Sequence, residues 1–256
     1  MLRARIIPAL LLKGTGLVKT IRFKDPVYVG DPINAVRLFN DLEADELILL
    51  DIMASRERRE PNFEQLQEIV SEAFMPICYG GGITKVEHAE RLFHIGLEKV
   101  GLTTGAVESP ALVDELARAF GSQSIVVGLD VRRDWRGRPQ MYTRGGSSRA
   151  GMDALTFVHE MVERGAGEIL LNLIDRDGTR DGYDLGLIAD LSKAANVPLV
   201  ACGGAGSLAD LRDAIAAGAS AAAAGSLFVF KGPHRAVLIN YPSEQEADAL
   251  FEVERA

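Results

Sequence analysis

The chain is poor in cysteine, in positive charge and in long apolar runs, and each shortage removes a class of protein. Two cysteines, Cys78 and Cys202, in 256 residues cannot make a disulfide framework, and no C-x-x-C pair offers a zinc site. Lys and Arg total 28 against 36 Asp and Glu, a formal net charge of −8. That balance argues against nucleic acid or an anionic membrane as the main partner, while leaving room for a local basic site. No stretch approaches the roughly 18 unbroken apolar residues of a membrane span. The opening Met-Leu-Arg-Ala-Arg-Ile-Ile-Pro has only a short apolar run and no small-residue cleavage site, so a soluble, cytoplasmic protein is expected. His88, His94, His159 and His234 show no metal-ligand spacing and read as surface or packing residues; no metal or other cofactor is expected. No linker or low-complexity segment divides the chain, which is 47% hydrophobic and 25% charged, an ordinary globular composition.

What is present is alternation. Short apolar runs at Arg5–Leu12, Glu46–Asp51, Pro76–Tyr79, Lys99–Leu102, Ser124–Asp130, Glu168–Leu173, Pro198–Ala201 and Ser220–Ala224 read as strands buried on both faces. Between them, Asp31–Leu42, Asn62–Ala73, Val86–His94, Pro110–Phe120, Asp153–Arg164, Leu185–Ala194 and Leu208–Ala217 carry apolar residues at helical spacing. Asp31, Ser109 and Ser207 are expected to cap three of them. Eight strands alternating with helices predict an α/β fold, a single (β/α)8 TIM barrel, in preference to an open sheet. Residues 1–243 form the expected barrel; 244–256 read as a solvated acidic tail.

The chain also repeats itself. Glu168, Gly203 and Gly218 each lie 122 residues after Glu46, Gly81 and Gly96, inside matching segments such as Glu46-Leu-Ile-Leu-Leu-Asp51 and Glu168-Ile-Leu-Leu-Asn172. A repeat near half the chain length predicts two fused half-barrels, about 1–122 and 123–243. Neither half can close its own sheet edges, so one domain is expected.

The mouth of such a barrel, at the strand C-termini, is where chemistry is expected. Strands 3 and 7 run into Gly80-Gly81-Gly82 and Gly203-Gly204; strands 4 and 8 run into Thr103-Thr104 and Gly225-Ser226. Glycines let backbone N–H groups approach an anion and hydroxyls add donors, so two phosphate cradles are expected across one mouth. Tight βα turns would use the same glycines. Asp51 ends strand 2, Asp130 ends strand 5, and Asp175 and Asp177 follow strand 6, the last two also suited to capping a turn. Asp130 closes an apolar strand, a costly place for a carboxylate without a partner. At the opposite end Arg5, Glu46, Lys99 and Glu168 begin strands, two cations and two anions that can ring the barrel bottom or simply line a solvated rim. Cys78 and Cys202 read as small core or mouth-lining residues. Trp135 lies in a loop after strand 5, where it can cover a substrate or pack.

Arg-Ile-Ile-Pro, Asp-Glu-Leu-Ile-Leu-Leu-Asp, Tyr-Gly-Gly-Gly-Ile, Gly-Ser-Gln-Ser-Ile-Val-Val-Gly-Leu-Asp, Ile-Asp-Arg-Asp-Gly-Thr and Ala-Cys-Gly-Gly-Ala-Gly occur in that order. From residue 1 to about 230 the chain resembles the cyclase subunit of imidazole glycerol phosphate synthase. The resemblance implies a barrel that receives ammonia from a separate glutaminase subunit docked at its bottom and uses it on a substrate with two phosphates. It implies Arg5, Glu46, Lys99 and Glu168 as an ammonia gate. It implies Gly82, Thr103, Thr104, Gly178, Gly203, Gly204, Gly225, Ser226 and the loop lysine Lys19 at phosphate sites, and Asp51, Asp130 and Asp177 as active-site aspartates.

The departures from the family pattern carry as much weight. The family's acid–base pair of aspartates falls on Leu11 and Asp130, and leucine transfers no proton. Thr103 replaces an asparagine, Asn172 a threonine, and Lys231–Pro242 lacks the usual closing helix. Lys13-Gly-Thr-Gly-Leu-Val-Lys19 and the chain's ending resemble a paralogous branch of surface-polysaccharide pathways, which implies a sugar amidotransferase, making acetamidino sugars, as a further partner. The first reading is therefore a paralogue with impaired cyclase chemistry. The second is an authentic histidine-pathway cyclase in which Asp51 or Asp177 replaces the missing acid. The third is a non-catalytic docking partner of the glutaminase.

Overall fold

Eight strands take up the apolar runs: β1 (Arg5–Lys13), β2 (Leu47–Asp51), β3 (Ile77–Gly80), β4 (Lys99–Leu102), β5 (Ile125–Arg133), β6 (Glu168–Leu173), β7 (Leu199–Cys202) and β8 (Ala221–Ala224). A computed structural model describes residues 3–232 and 234–252 of the chain. The strands pair in parallel in chain order, β5 joins β6 with Glu168 beside Val126, and β8 returns to β1 with Arg5 beside Ala221. That last pairing closes the sheet into a TIM-type barrel. Around it lie α1 (Pro32–Asp41), α2 (Phe63–Val70), α3 (Val86–Ile95), α4 (Ala111–Phe120), α5 (Ala154–Glu163), α6 (Leu185–Ala195) and α7 (Leu208–Ala216). The expected strands and helices thus form, with ends moved by a few residues.

Two apolar cores result. One fills the space between strands and helices, with Phe39, Leu66 and Phe157 fully covered. The other fills the barrel itself with smaller groups, among them Ile7, Ala9, Cys78, Val126, Ala221 and Ala223. Side chains alternate in and out along each strand, so each strand serves both cores. Caps follow the sequence at Asp31, whose side chain accepts from Asn34 N, and at Ser207, which forms a reciprocal capping box with Asp210. Ser109 does not cap α4. It instead ends a short helix, Thr104–Glu108, that follows β4.

Two additions were not expected. A hairpin, Gly16–Ile21 with Lys24–Gly30, continues β1 above the mouth, and β5 continues into an antiparallel pairing with Pro139–Thr143. The end of the chain is a correction. Residues 244–252 form a helix, α8 (Glu244–Glu252), where a solvated tail was expected; the described residues of Lys231–Pro242 carry no helix, as expected. Ser243 and Glu246 make a capping box at its start, Ala247 is buried, and Leu250 and Phe251 pack on the core. Three apolar residues at helical spacing outweigh the acidic composition. Residues 253–256 of the expected tail lie outside the described residues. Tyr241 anchors the return, its hydroxyl donating to Ile6 O at 2.7 Å. No helix among the described residues is long and apolar enough to cross a membrane.

Candidate active site and the charged ring beneath it

At the barrel bottom the four charged residues meet. Lys99 Nζ lies 2.9 Å from Glu46 Oε1 and 2.9 Å from Glu168 Oε2, and the Arg5 guanidinium bonds to both glutamates. Each cation bridges both anions, so the ring is closed. Burial works against the charges on Arg5 and Lys99, yet the two carboxylates outweigh it and hold both pKa values above their ordinary range. The glutamates are only 4% and 5% exposed. The solvated-rim alternative is therefore set aside: losing a cation here leaves a buried carboxylate short of a partner.

At the other end a cavity of about 300 Å³ opens at the mouth. Leu11, Leu50, Leu102 and Leu170 make its apolar floor, and Thr103, Asp130 and Asn172 supply polar groups. Three strands lie between β1 and β5 in either direction round the barrel, so Leu11 and Asp130 come from opposite walls. Asp130 is half-buried at the cavity wall and accepts from Asn172 Nδ2 at 3.3 Å. Burial, helped by the charge of Asp177 and opposed by the Asn172 hydrogen bond, pushes its carboxyl up to about 7.

The raised value has a consequence for stability. A folded-state pKa above the unfolded one favours folding at acid pH, and the advantage is lost as pH rises through about 7. Each tenfold change in proton affinity is worth about 1.4 kcal/mol, so burying the carboxylate at pH 8 costs at most about 4 kcal/mol. Asp130→Asn should accordingly raise the melting temperature at pH 8 and lose its advantage below about pH 4. Equal Tm differences at both pH values would show that Asp130 is not a buried titrating group.

The glycine turns lie on the same rim. Gly82 has φ +71, and a Cβ there would come within 2.4 Å of Arg59 O; Gly204 has φ +127, with Gly182 O only 2.2 Å away. Only glycine fits either position. Thr104 Oγ1 accepts from Arg144 N at 2.9 Å, and Ser226 is buried beside Gly225.

The histidine biosynthesis protein family matches residues 5–234. A Pseudomonas aeruginosa protein named "Putative imidazole glycerol phosphate synthase subunit hisF2" is 51% identical over 97% of this chain and 99% of its own. A Leptospira borgpetersenii protein, "Putative imidazole glycerol phosphate synthase subunit HisF", is 46% identical over 98% and 100%. An Alkaliphilus metalliredigens protein, "Imidazole glycerol phosphate synthase subunit HisF", is 42% identical over 89% and 91%. The chain belongs to the HisF family.

Within this HisF-family mouth the other aspartates are already engaged. Both Asp51 oxygens take Arg59, at 2.8 Å each, and Oδ1 also accepts from Met53 N and Ala54 N. Asp177 accepts from Thr20 Oγ1 at 2.6 Å and Phe23 N at 3.1 Å, so it clasps the hairpin after β1. Burial holds the Asp177 pKa above the carboxylate range against those bonds and the charge of Lys19. Asp175 accepts from Arg133 N. Proton transfer by Asp51 would first require breaking a bidentate ion pair.

Lys19 was expected at a phosphate site, and the hairpin carries it to the turn after β8. Its ammonium donates to Ala9 O and stands where a Cβ on Gly225 would be. Burial lowers its pKa to about 8, offset in part by Asp177. Lys19, Gly178, Gly203, Gly204, Gly225 and Ser226 surround a space of only about 30 Å³. The two expected phosphate cradles are therefore unequal. Phosphate titration followed by crystallography should fill the Gly82–Thr104 turn first and the Gly204–Ser226 turn only at higher concentration, because Lys19 must shift. Two sites filling together, or neither filling, would contradict this.

Arg56 was not singled out in the sequence. It reaches from the short helix after β2 to the carbonyls of Arg144 and Gly145 and lines the cavity. No spacing rule marks a lone arginine in a charged loop. Trp135 covers nothing; it stands 84% exposed against Arg136. Cys78 and Cys202 are buried free thiols, the latter pushed up to about 12 by burial. His88 is buried, whereas His94, His159 and His234 are exposed.

Proposed function

We propose that this chain is the synthase subunit of a glutamine-dependent pair: a glutaminase subunit docks at the barrel bottom, and ammonia travels through the core to the mouth. The closed ring of Arg5, Glu46, Lys99 and Glu168 carries the reading. Neutral ammonia can pass between paired charges and along walls such as Ile7, Cys78, Val126 and Ala223, whereas an ammonium ion would pay heavily for desolvation. Over the mouth a phosphorylated, sugar-type substrate is held by Gly82, Thr103 and Thr104 on one side. Gly178, Gly203, Gly204, Gly225, Ser226 and Lys19 serve the other. Asp130, with a pKa near 7, is the one carboxylate poised to exchange protons, while Asp51 and Asp177 shape the site.

Leu11 supports a paralogue with impaired cyclase chemistry, whose ammonia serves a sugar amidotransferase in amidino-sugar synthesis. The relatives named hisF2 and hisF3 align over 97% and 99% of this chain, while three named simply as the synthase subunit stop at 89–90%. The two glycine turns favour instead an authentic histidine-pathway cyclase. A docking role without chemistry is the third reading, and the lone Asp130 speaks against it. We further infer fused half-barrels, since Glu46 and Glu168 occupy matching places in the ring and hairpins follow both β1 and β5.

Glutamate release by the separate glutaminase subunit, with and without this chain, tests the pairing. Complex formation and faster hydrolysis in its presence are expected. No complex and no change in hydrolysis would remove the ammonia reading.

A further inference from the structure

The turn after β3 is where the central cavity meets a second, wider depression. About 780 Å³ in volume, it runs outward from Gly82, Thr104 and Gly105 between the loop after β2 and the start of α3. Arg58, Arg59, Lys85 and Arg144 line it. Arg59 is matched by Asp51 and Glu57, and Arg144 by Glu108. Arg58 and Lys85 have no ion-pair partner among the described residues. Arg58 also holds φ +52, an uncommon conformation for arginine, as the cap of the short helix Ala54–Glu57.

The wall of the depression contains a buried polar group as well. His88 Nδ1 accepts from Thr84 N at 3.4 Å, which leaves Nε2 to carry the proton. Nε2 is buried and makes no aligned hydrogen bond, although Glu60 Oε2 lies 3.3 Å away. Two cations without an ion pair and a poorly satisfied donor therefore face one open space beside a glycine turn; of the two carboxylates that also line it, Glu108 is held by Arg144 and Glu60 stands by His88. Across the mouth, Lys19 fills the corresponding turn and leaves about 30 Å³.

We propose that the turn after β3 receives a diphosphate ester, the inner phosphoryl group on Gly82 and Thr104 and the outer one in the depression between Arg58 and Lys85. The assignment rests on the reading of that turn as a phosphate site and names the substrate class. A monophosphate at Gly82 would leave Arg58 and Lys85 without a partner. A second phosphoryl group supplies charge and acceptors to both, and charge-assisted hydrogen bonds are the strong ones.

Titration calorimetry of the full chain with inorganic phosphate and with pyrophosphate, at one pH and ionic strength, tests the proposal. Pyrophosphate should bind about tenfold or more tightly than phosphate, as expected for added charge-assisted bonds. Lys85→Gln and Arg58→Gln should each weaken pyrophosphate about five- to tenfold and leave phosphate within about twofold. Lys193→Gln, which removes an exposed charge on α6 more than 100 residues from Gly82 in sequence, should change neither. Equal affinities, unaffected variants, or an equal loss in Lys193→Gln would each overturn the diphosphate assignment. Phosphate binding without a pyrophosphate preference leaves the phosphate reading in place; binding of neither anion removes both.

Discussion

Given the doubly phosphorylated family substrate and saturating ammonium salt, Leu11→Asp should turn over about 10²–10⁴-fold faster than the unaltered chain, the usual worth of one general acid or base. Asp130 offers a half-buried carboxyl pushed up to about 7, and the wall facing it ends in a side chain that moves no proton. The new carboxylate would open onto the cavity and so remain hydrated, which limits its cost to folding. Substrate consumption at fixed pH is the measurement. A wild-type rate already at the level of a two-aspartate barrel would refute the impaired-cyclase reading. A slow wild type with no gain from Leu11→Asp would place the block at Thr103 and Asn172 as well.

The second large effect is expected at the ring. Lys99→Ala opens one side of a closed four-charge arrangement and leaves Glu46 and Glu168 with Arg5 as their remaining cation. Glutamine hydrolysis in the reconstituted pair should continue while the fraction of its ammonia reaching the mouth falls severalfold. Because both glutamates are buried, stability should fall too, by up to about 3–5 kcal/mol. The assay therefore belongs well below the variant's Tm, with Lys99→Arg retaining charge and most of the stability. A large loss of stability with unchanged coupling would make the ring a structural rim.

Much of the fold was legible because its signals are local. Ile, Leu and Val runs buried on both faces, helical spacing between them and the 122-residue offset each survive in one dimension. The hairpin after β1 was not legible, because Lys24–Val27 faces solvent and no apolar alternation marks it. The closing helix was hidden by its acids, although Ser243 and Glu246 spell a capping box. The four ring residues were legible from their places at strand starts. Their burial was not, since it depends on how tightly the barrel closes.

By itself, the sequence determined the eight strands and their order, the glycine turns, and the opposition of Leu11 to Asp130. Residues at one end of successive strands must share one end of a closed barrel. Only the tertiary structure decided which charged groups are free to act. Asp51 is held by Arg59 eight residues on, Asp177 by a hairpin some 155 residues earlier, and Lys19 fills a turn built from the far end of the chain. A carboxylate or ammonium is available for chemistry only if no neighbour has claimed it, and for Asp177 and Lys19 those neighbours come from segments distant along the chain.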